Sequence, residues 1–422
     1  MLWLSVRLTI AAAAAIAIIA ALTPPSLAPV ADQTGSPAAV PTMGPTMGPS
    51  VGPAQSPTTR DEGEPTRDRA ERPSAAKGVL GRMTLPQRVG QLFMVGTPAT
   101  SASPRTLAQI GRFHVGNVML TGRSYAGTRT PARVAAAMQA RATGPATAHV
   151  RLLVATDQEG GEVQVLHGRG IAEMPSALAQ GHWTPRRLET AAGAWARQLR
   201  AAGVNLNLAP VTDTVPGPAA AAHNPPIGAF DREFGYTPRV VARHGVAFAR
   251  GMSSHGVVPT VKHFPGLGRV HANTDVWSRV TDRATRRHDP YLEPFRRAVD
   301  AGVPVVMMST AYYSRLDPKN PAAFSSYIIR TMLRGDLGFR QVVVSDDLGN
   351  ARQVAHWSSG ARAVRFLLAG GDLVLTVDPS TLPDMYAAVL HRARTDRHFR
   401  EQVNRSALRV LEVKADRHLL GR

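Results

Sequence analysis

Cysteine is absent from all 422 residues. Disulfide frameworks, thiolate zinc sites, thiol nucleophiles and a lipid-modified N-terminal cysteine are therefore excluded, and any anchoring must be made by peptide alone. Lysine is scarce: of 49 basic side chains only Lys77, Lys262, Lys319 and Lys414 are lysine. Aromatics make up 5% of the chain, too few to interleave with cations as a nucleic-acid stacking surface does. The net charge of +19 points towards polyanions, but the arginines are spread through helix-like segments and form no block, so nucleic acid is not expected as a partner. A His-Glu-x-x-His motif is also missing, as is a glycine fingerprint for phosphate after the first apolar run. No cofactor and no metal are expected, and the fourteen histidines are dispersed.

Charge is missing, too, from Leu8 to Val30. Arg7 precedes the apolar run Ile10 to Leu22, which is shorter than the roughly 20 residues of a spanning helix. Residues 1–31 read as a signal peptide, with Ser26 and Ala28 near a cleavage site, or as an uncleaved membrane anchor. Either reading predicts export, secreted or tethered to the outer face of the cytoplasmic membrane, with this segment as the membrane contact. Pro24 to Pro73 then holds eleven prolines in fifty residues, a composition with little to bury. Residues 32–77 are expected to form a disordered, extended linker, and 78–422 a folded domain, expected to be monomeric.

Within that domain short β-branched runs alternate with segments of helical period. Eight runs are present: Gly90 to Gly96, Val115 to Gly122, Leu152 to Asp157, Val204 to Pro210, Val257 to His263, Val303 to Ser309, Gln341 to Asp346 and Asp372 to Asp378. Helices are predicted over Pro185 to Ala202, Pro238 to Ser254, Tyr291 to Ala301, Ser325 to Leu333 and Ser359 to Ala369. Eight strand-helix units fit an α/β fold of the (β/α)8 TIM-barrel type, whose chemistry sits in loops after the strands' C-terminal ends. A doubly wound open sheet is the alternative architecture.

Polar residues do collect after those runs. Asp346 ends a Val-Val-Val strand and is followed by Asp347. A carboxylate there can attack an anomeric carbon while a second group protonates the departing oxygen; it can equally cap the next helix. After the fifth run comes Lys262-His263-Phe264-Pro265-Gly266-Leu267-Gly268, where glycine and proline let the chain turn inward and the lysine and histidine offer donors to sugar hydroxyls. A buried lysine needs a partner, and Asp157 is the natural one.

These segments resemble glycoside hydrolase family 3, in particular its single-domain bacterial β-N-acetylglucosaminidase branch. The motifs are Asp157-Gln158-Glu159-Gly160-Gly161 with Pro175-Ser176-Ala177, Asn205 to Val211 with Asp213, Asn224-Pro225 to Arg232 with Phe234-Gly235, Lys262 to Gly268, and Leu337-Gly338-Phe339 with Ser345-Asp346-Asp347-Leu348. The resemblance implies that Asp346 is the nucleophile and that Asp157, Arg232, Lys262 and His263 hold the terminal sugar.

The sequence departs from that branch where its acid/base should be. The branch carries an Asp-Ser-His triplet after its Lys-His-Phe-Pro-Gly-His-Gly motif, and the same interval here reaches Asn273-Thr274-Asp275. Leu267 replaces the motif's second histidine, Val165 a usual arginine, and Thr310 a common histidine. Asp275 is the first candidate for proton donor and His271 the second. The expected function is an exported retaining exo-β-glycosidase acting on terminal β-N-acetylglucosaminyl or related residues of envelope glycans. A β-glucosidase or phosphorolytic activity of the same family, or a saccharide-binding protein that has lost catalysis, are the alternatives.

Overall fold

Eight parallel strands curl into a closed ring, each followed by a helical segment. The computed structural model describes residues 65–421; the 1–31 leader and most of the 32–77 linker lie outside the described residues. The strands are β1 (Phe93–Pro98), β2 (Asn117–Thr121), β3 (Leu153–Thr156), β4 (Leu206–Asn207), β5 (Val258–Phe264), β6 (Val305–Met308), β7 (Val342–Ser345) and β8 (Val374–Thr376). The long helices are α1 (Pro65–Arg82), α2 (Pro104–Arg112), α3 (Arg129–Gln139), α4 (Pro185–Ala201), α5 (Pro238–Ser254), α6 (Glu293–Asp300), α7 (Ser359–Ala369), α8 (Leu382–Thr395) and α9 (Arg397–Ala415). A π-helix, Tyr327–Asp336, stands between β6 and β7. Strands pair in sequence order, and β1 also pairs with β8. The ring closes between β7 and β8 through the Val344–Leu373 bridge, with the Ser345 N–H donating to the Leu373 carbonyl at 2.9 Å. This is the (β/α)8 barrel expected from the eight runs.

Side-chain alternation fills the barrel and aims its rim. Met94, Leu153, Ala155, Leu206, Val258, Val305, Met307, Val342, Val344 and Leu375 share one buried cluster, the barrel interior. Val95, Val118, Val154, Val261, Val306 and Val343 alternate with them and join the belt beneath the helices. A period of two carried one step further from Ala155, Thr260 and Val344 turns Asp157, Lys262 and Asp346 inward at the C-terminal mouth. The opposite mouth is covered by α9, where Val410 and Val413 join the interior cluster. There Lys414, fully buried, donates to Gln91 Oε1 at 2.7 Å and to the Gly116 carbonyl at 2.8 Å.

Helix boundaries follow local chemistry. Thr184 caps α4 by accepting from the Arg187 N–H, with Pro185 in the first turn where a missing N–H costs nothing. Gly370, at φ 114°, ends α7. Three expectations need correction. α1 begins at Pro65, inside the segment assigned to the linker, because Ala76, Val79 and Met83 pack on Val150 and Leu411. The fourth strand pairs over two residues only, since Asn205 spends its side chain on the Val154 N–H and the Leu152 carbonyl. The helix expected from Ser325 is the π-helix and starts at Tyr327, with the Ser325 hydroxyl taken by the Ile328 N–H.

The closing seam is pinned by one buried carboxylate. Asp372 accepts from Arg334 at 2.6 Å and the Val343 N–H at 2.9 Å through one oxygen, and from Ser406 at 2.7 Å and Arg409 at 2.9 Å through the other. Asp372→Ala strands two guanidiniums and a backbone amide, and it should cost about 3–5 kcal/mol of unfolding free energy. Denaturant titration with matched far-UV circular dichroism measures this; a loss below about 1 kcal/mol contradicts it.

Candidate active site

Four charged side chains converge at the mouth of the barrel. Lys262, at the end of β5 and 2% exposed, donates to Asp157 Oδ1 at 2.7 Å and also pairs with Glu159 Oε1 at 2.6 Å. Arg232 grips Glu159 with two parallel bonds of 2.8 Å and donates a third, at 2.7 Å, to the Pro226 carbonyl. Two cations and two anions thus balance inside the protein. Burial would raise the Glu159 carboxyl, but the charges of Arg232 and Lys262 outweigh it and hold its pKa down at about 2. Burial likewise opposes the charge on Lys262 and on Arg232, and their acidic partners raise both above their ordinary values. Asp157 keeps part of its surface open to the mouth, 24% of the side chain, so it faces any ligand there.

His263 is held just as tightly. Its Nδ1 lies 2.7 Å from Asp213 Oδ2, while Asp213 Oδ1 accepts from the His263 and Leu267 backbone N–H groups at 3.0 and 2.9 Å. A fully buried carboxylate on this side selects the tautomer with the proton on Nδ1, and Nε2 has no hydrogen-bond partner among the described residues. The Lys262–His263 and Phe264–Pro265 peptide bonds are cis. Gly268 lets this loop cross the β4 loop, since a Cβ there would lie 1.9 Å from the Thr214 carbonyl.

Adjacent carboxylates after β7 divide their tasks. Asp347 accepts from the backbone N–H groups of Gly349, Val377 and Asn350 at 2.8, 3.0 and 3.3 Å, which ties the β7 and β8 loops together. Burial, with the charge of Asp346 adding to it, raises its pKa to about 6 against those amides. Asp346 is half-buried, and its carboxylate accepts at Oδ1 from the Asp347 N–H at 2.8 Å. Its other oxygen has no hydrogen-bond partner among the described residues.

Asp275 comes to Asp346 by a backbone clamp. The Arg352 N–H donates to the Asp275 carbonyl and the Gln353 N–H to the Thr274 carbonyl, each at 3.0 Å, so the β5 loop is stitched to the segment six residues past Asp346. Asn273 accepts from the Asp275 N–H at 2.9 Å and so braces its own turn. Asp275 is exposed at the surface; partial desolvation by the neighbouring protein, then the charges of Asp346 and Asp347, raises its pKa to about 7.

The other candidates are placed differently. His271 is exposed, with Nδ1 3.3 Å from the His223 carbonyl, and lines a neighbouring cleft outside the carboxylate cluster. Val165 packs in the outer core, and Thr310 is fully buried with a hydroxyl that has no hydrogen-bond partner. Glu159 and Asp213 are the organising acids that the sequence reading left without a role, although both stand in its motifs. Glu233 was also missed: it is fully buried and without hydrogen-bond partners for its carboxyl. Burial, reinforced by Asp231 and Asp213, raises its pKa to about 7. Among the described residues no group of three or more His, Asp or Glu is arranged to hold a metal ion.

A closed barrel with carboxylates at its C-terminal rim matches the sequence comparisons. The profile described as "Glycosyl hydrolase family 3 N terminal domain" matches residues 84–413. The chain belongs to glycoside hydrolase family 3. It is 51% identical to the crystal structure of a β-N-acetylhexosaminidase from Beutenbergia cavernae, over 79% of this chain and 98% of that one, with a TM-score of 0.78. A family 3 β-N-acetylglucosaminidase from Paenibacillus is 33% identical, covers 81% of this chain and 64% of its own, and has a TM-score of 0.72. A β-hexosaminidase of Xylella fastidiosa is 35% identical over 309 residues, 71% of this chain and 88% of its own.

The Asp213 anchor makes a testable claim for this glycoside hydrolase. Asp213→Ala frees the His263 ring and the Leu267 N–H together, and a displacement of about 1 Å of groups lining the mouth should lower kcat about 10²-fold. Steady-state kinetics on a nitrophenyl β-glycoside measures it, and Asp213→Asn, which keeps an acceptor for the Leu267 N–H, should recover part of the loss. Equal, undiminished rates for both variants contradict the role.

Proposed function

We propose that this protein is a retaining exo-β-N-acetylglucosaminidase in which Asp346 attacks the anomeric carbon and Asp275 is the acid/base. One observation carries the reading: the Arg352 and Gln353 N–H groups clamp the Asp275 and Thr274 carbonyls, which sets the Asp275 loop against the segment that follows Asp346, whose charge helps raise the Asp275 carboxyl. The relatives named β-N-acetylhexosaminidase support the choice of sugar. Asp157, Lys262, Arg232 and His263 Nε2 supply the donors and acceptors that fix the terminal sugar's hydroxyls. Attack by Asp346 forms a carbon–oxygen ester bond as the glycosidic bond breaks, and Asp275 passes its proton to the leaving oxygen. Water then enters, Asp275 takes its proton, and the ester is cleaved with net retention. The apolar leader Ile10 to Leu22 supports the further proposal that the enzyme is exported to act on envelope glycans.

Asp346→Asn removes the nucleophile and should lower turnover of nitrophenyl β-N-acetylglucosaminide by about 10³-fold or more. A panel of nitrophenyl β-sugars, read for rate and for the anomer released, tests sugar and stereochemistry together. Turnover unchanged in Asp346→Asn refutes the nucleophile. Saccharide binding without turnover of any activated glycoside refutes the enzymatic reading in favour of a binding protein.

The pH dependence tests Asp275. Its acid form dominates below about pH 7, so kcat/KM on a substrate with a poor leaving group should fall as pH rises through that value. Asp275→Asn should abolish this limb and reduce the rate by about 10²–10⁴-fold on such substrates. On a nitrophenyl leaving group, which needs little protonation, the first step should suffer far less. A basic limb that persists in Asp275→Asn assigns the proton donor elsewhere.

A further inference from the structure

Asp372 occupies the inner rung of an arginine ladder at the barrel end opposite the catalytic mouth, where Gln341 and Asp372 lead into β7 and β8. Arg330 and Arg334 lie about one turn apart on the π-helix, and both reach the end of α7: Arg330 donates to the Leu368 carbonyl and Arg334 to the Gly370 carbonyl, each at 3.1 Å. Arg405 and Arg409 lie about one turn apart on α9, a spacing that puts them on one helix face. Arg334 and Arg409 take opposite oxygens of Asp372, at 2.6 and 2.9 Å. That rung is paired and largely buried.

The outer rung repeats the arrangement without a carboxylate. Arg330 and Arg405 are exposed and make no ion pair among the described residues. Partial desolvation, then the like charges of Arg405 and Arg409, lower the Arg330 pKa from its ordinary value. Arg340 adds an exposed guanidinium at the edge: it donates to the Arg334 carbonyl at 3.2 Å, and its own carbonyl accepts from Arg409 at 3.1 Å. Five guanidiniums thus meet one carboxylate. The end of α7 contributes only about half a negative charge, so the outer rung stays unbalanced. These arginines are scattered from 330 to 409 in sequence, and the closing seam of the barrel gathers them.

The surroundings narrow the occupant. At the inner rung the Asp372 oxygens are completed by the Ser406 hydroxyl and the Val343 N–H. The outer rung offers guanidinium forks from two helices, hence from two directions, and the tetrahedral oxygens of a phosphate accept both. The exposed large apolar side chains are Tyr125, Trp277 and Leu368. Of these Leu368 alone is here, so the face has no ring on which a nucleobase could stack and little to insert into a bilayer.

We propose that Arg330 and Arg405, with Arg340 at their edge, form a binding site for the phosphate groups of a polyol phosphate chain, on the face turned away from the catalytic mouth. The site is independent of the glycosidase reading. Calorimetric titration of the full chain with poly(glycerol phosphate) tests it. The double variant Arg330→Ser, Arg405→Ser should bind about tenfold or more weakly. Arg283→Ser with Arg286→Ser removes the same charge from exposed positions on the catalytic face and should change binding by less than about twofold. Arg330→Lys with Arg405→Lys keeps the charge, loses the forks and should fall between the two; it carries the test if the serine pair does not fold. About 0.5 M salt should erase these differences. No binding by the unaltered protein overturns the site, and equal losses in the two serine pairs assign the binding to net charge and overturn it as well. So does tighter binding of polygalacturonate, a carboxylate chain, than of poly(glycerol phosphate). A serine pair at 330 and 405 that loses phosphatidylglycerol vesicles but keeps the polymer makes the ligand a lipid surface, and this too overturns the proposal.

Discussion

Desolvation of four charges at the barrel mouth is the constraint around which the site is built. Bringing Lys262, Arg232, Asp157 and Glu159 out of water costs several kcal/mol per ion, and only short, multiple contacts offset this. The contacts are there, between 2.6 and 2.8 Å. Because they join β3, β5 and the loop that follows β4, they also lock the relative positions of three rim segments. A site assembled from distant parts of the sequence is thereby as rigid as if it lay on one strand. The network is neutral as a whole, and around Asp275 the charges of Asp346 and Asp347 outweigh the opposing charge of Arg232.

Much of this was legible in the residues. The β-branched runs located all eight strands to within a few positions, since alternation between barrel interior and helix belt demands apolar residues on both faces. Val258, Thr260 and Lys262 show the same alternation delivering a charge to the mouth. Less legible was β4, where Asn205 and Asn207 divert backbone pairing into side-chain bonds. Proline and charge made residues 65–77 read as linker, although three apolar residues at helical spacing, Ala76, Val79 and Met83, were enough to dock α1 on α9. In a short segment that spacing is outvoted by composition, and it becomes decisive only when a partner surface exists.

Within the site, residue types announced the chemistry better than the wiring. Lys262 was expected to pair with Asp157, and it does; its second partner, Glu159, shares a motif with Asp157 but lies two residues on, where a tight hairpin, Gln158–Gly160 against Val163–Gln164, turns the chain back. No periodicity predicts a side-chain direction through such a turn. His271 and Asp275 were both plausible donors by position alone. The clamp between Thr274, Asp275 and the 352–353 backbone holds the Asp275 loop against the segment after β7, and a contact across some 78 residues leaves no local trace.

On the proposed mechanism the proton donor is an aspartate where the resembling branch has a histidine, and this changes what the surroundings must supply. An imidazole needs an orienting acceptor on its second nitrogen, and Asn273, occupied with its own turn, is not one. A carboxylic acid has two equivalent oxygens and needs no such orientation, but it must be kept protonated near neutrality. Desolvation and the charges of Asp346 and Asp347 raise its pKa in that direction. On the proposed mechanism the same coupling drives the second half of the cycle. Once Asp346 is esterified to the sugar its charge is gone, the repulsion on Asp275 drops, and its pKa falls. The group that gave a proton in the first step is then a carboxylate ready to take one from water in the second. In that mechanism acid and base are one residue because its neighbour's charge is consumed and restored by the reaction itself.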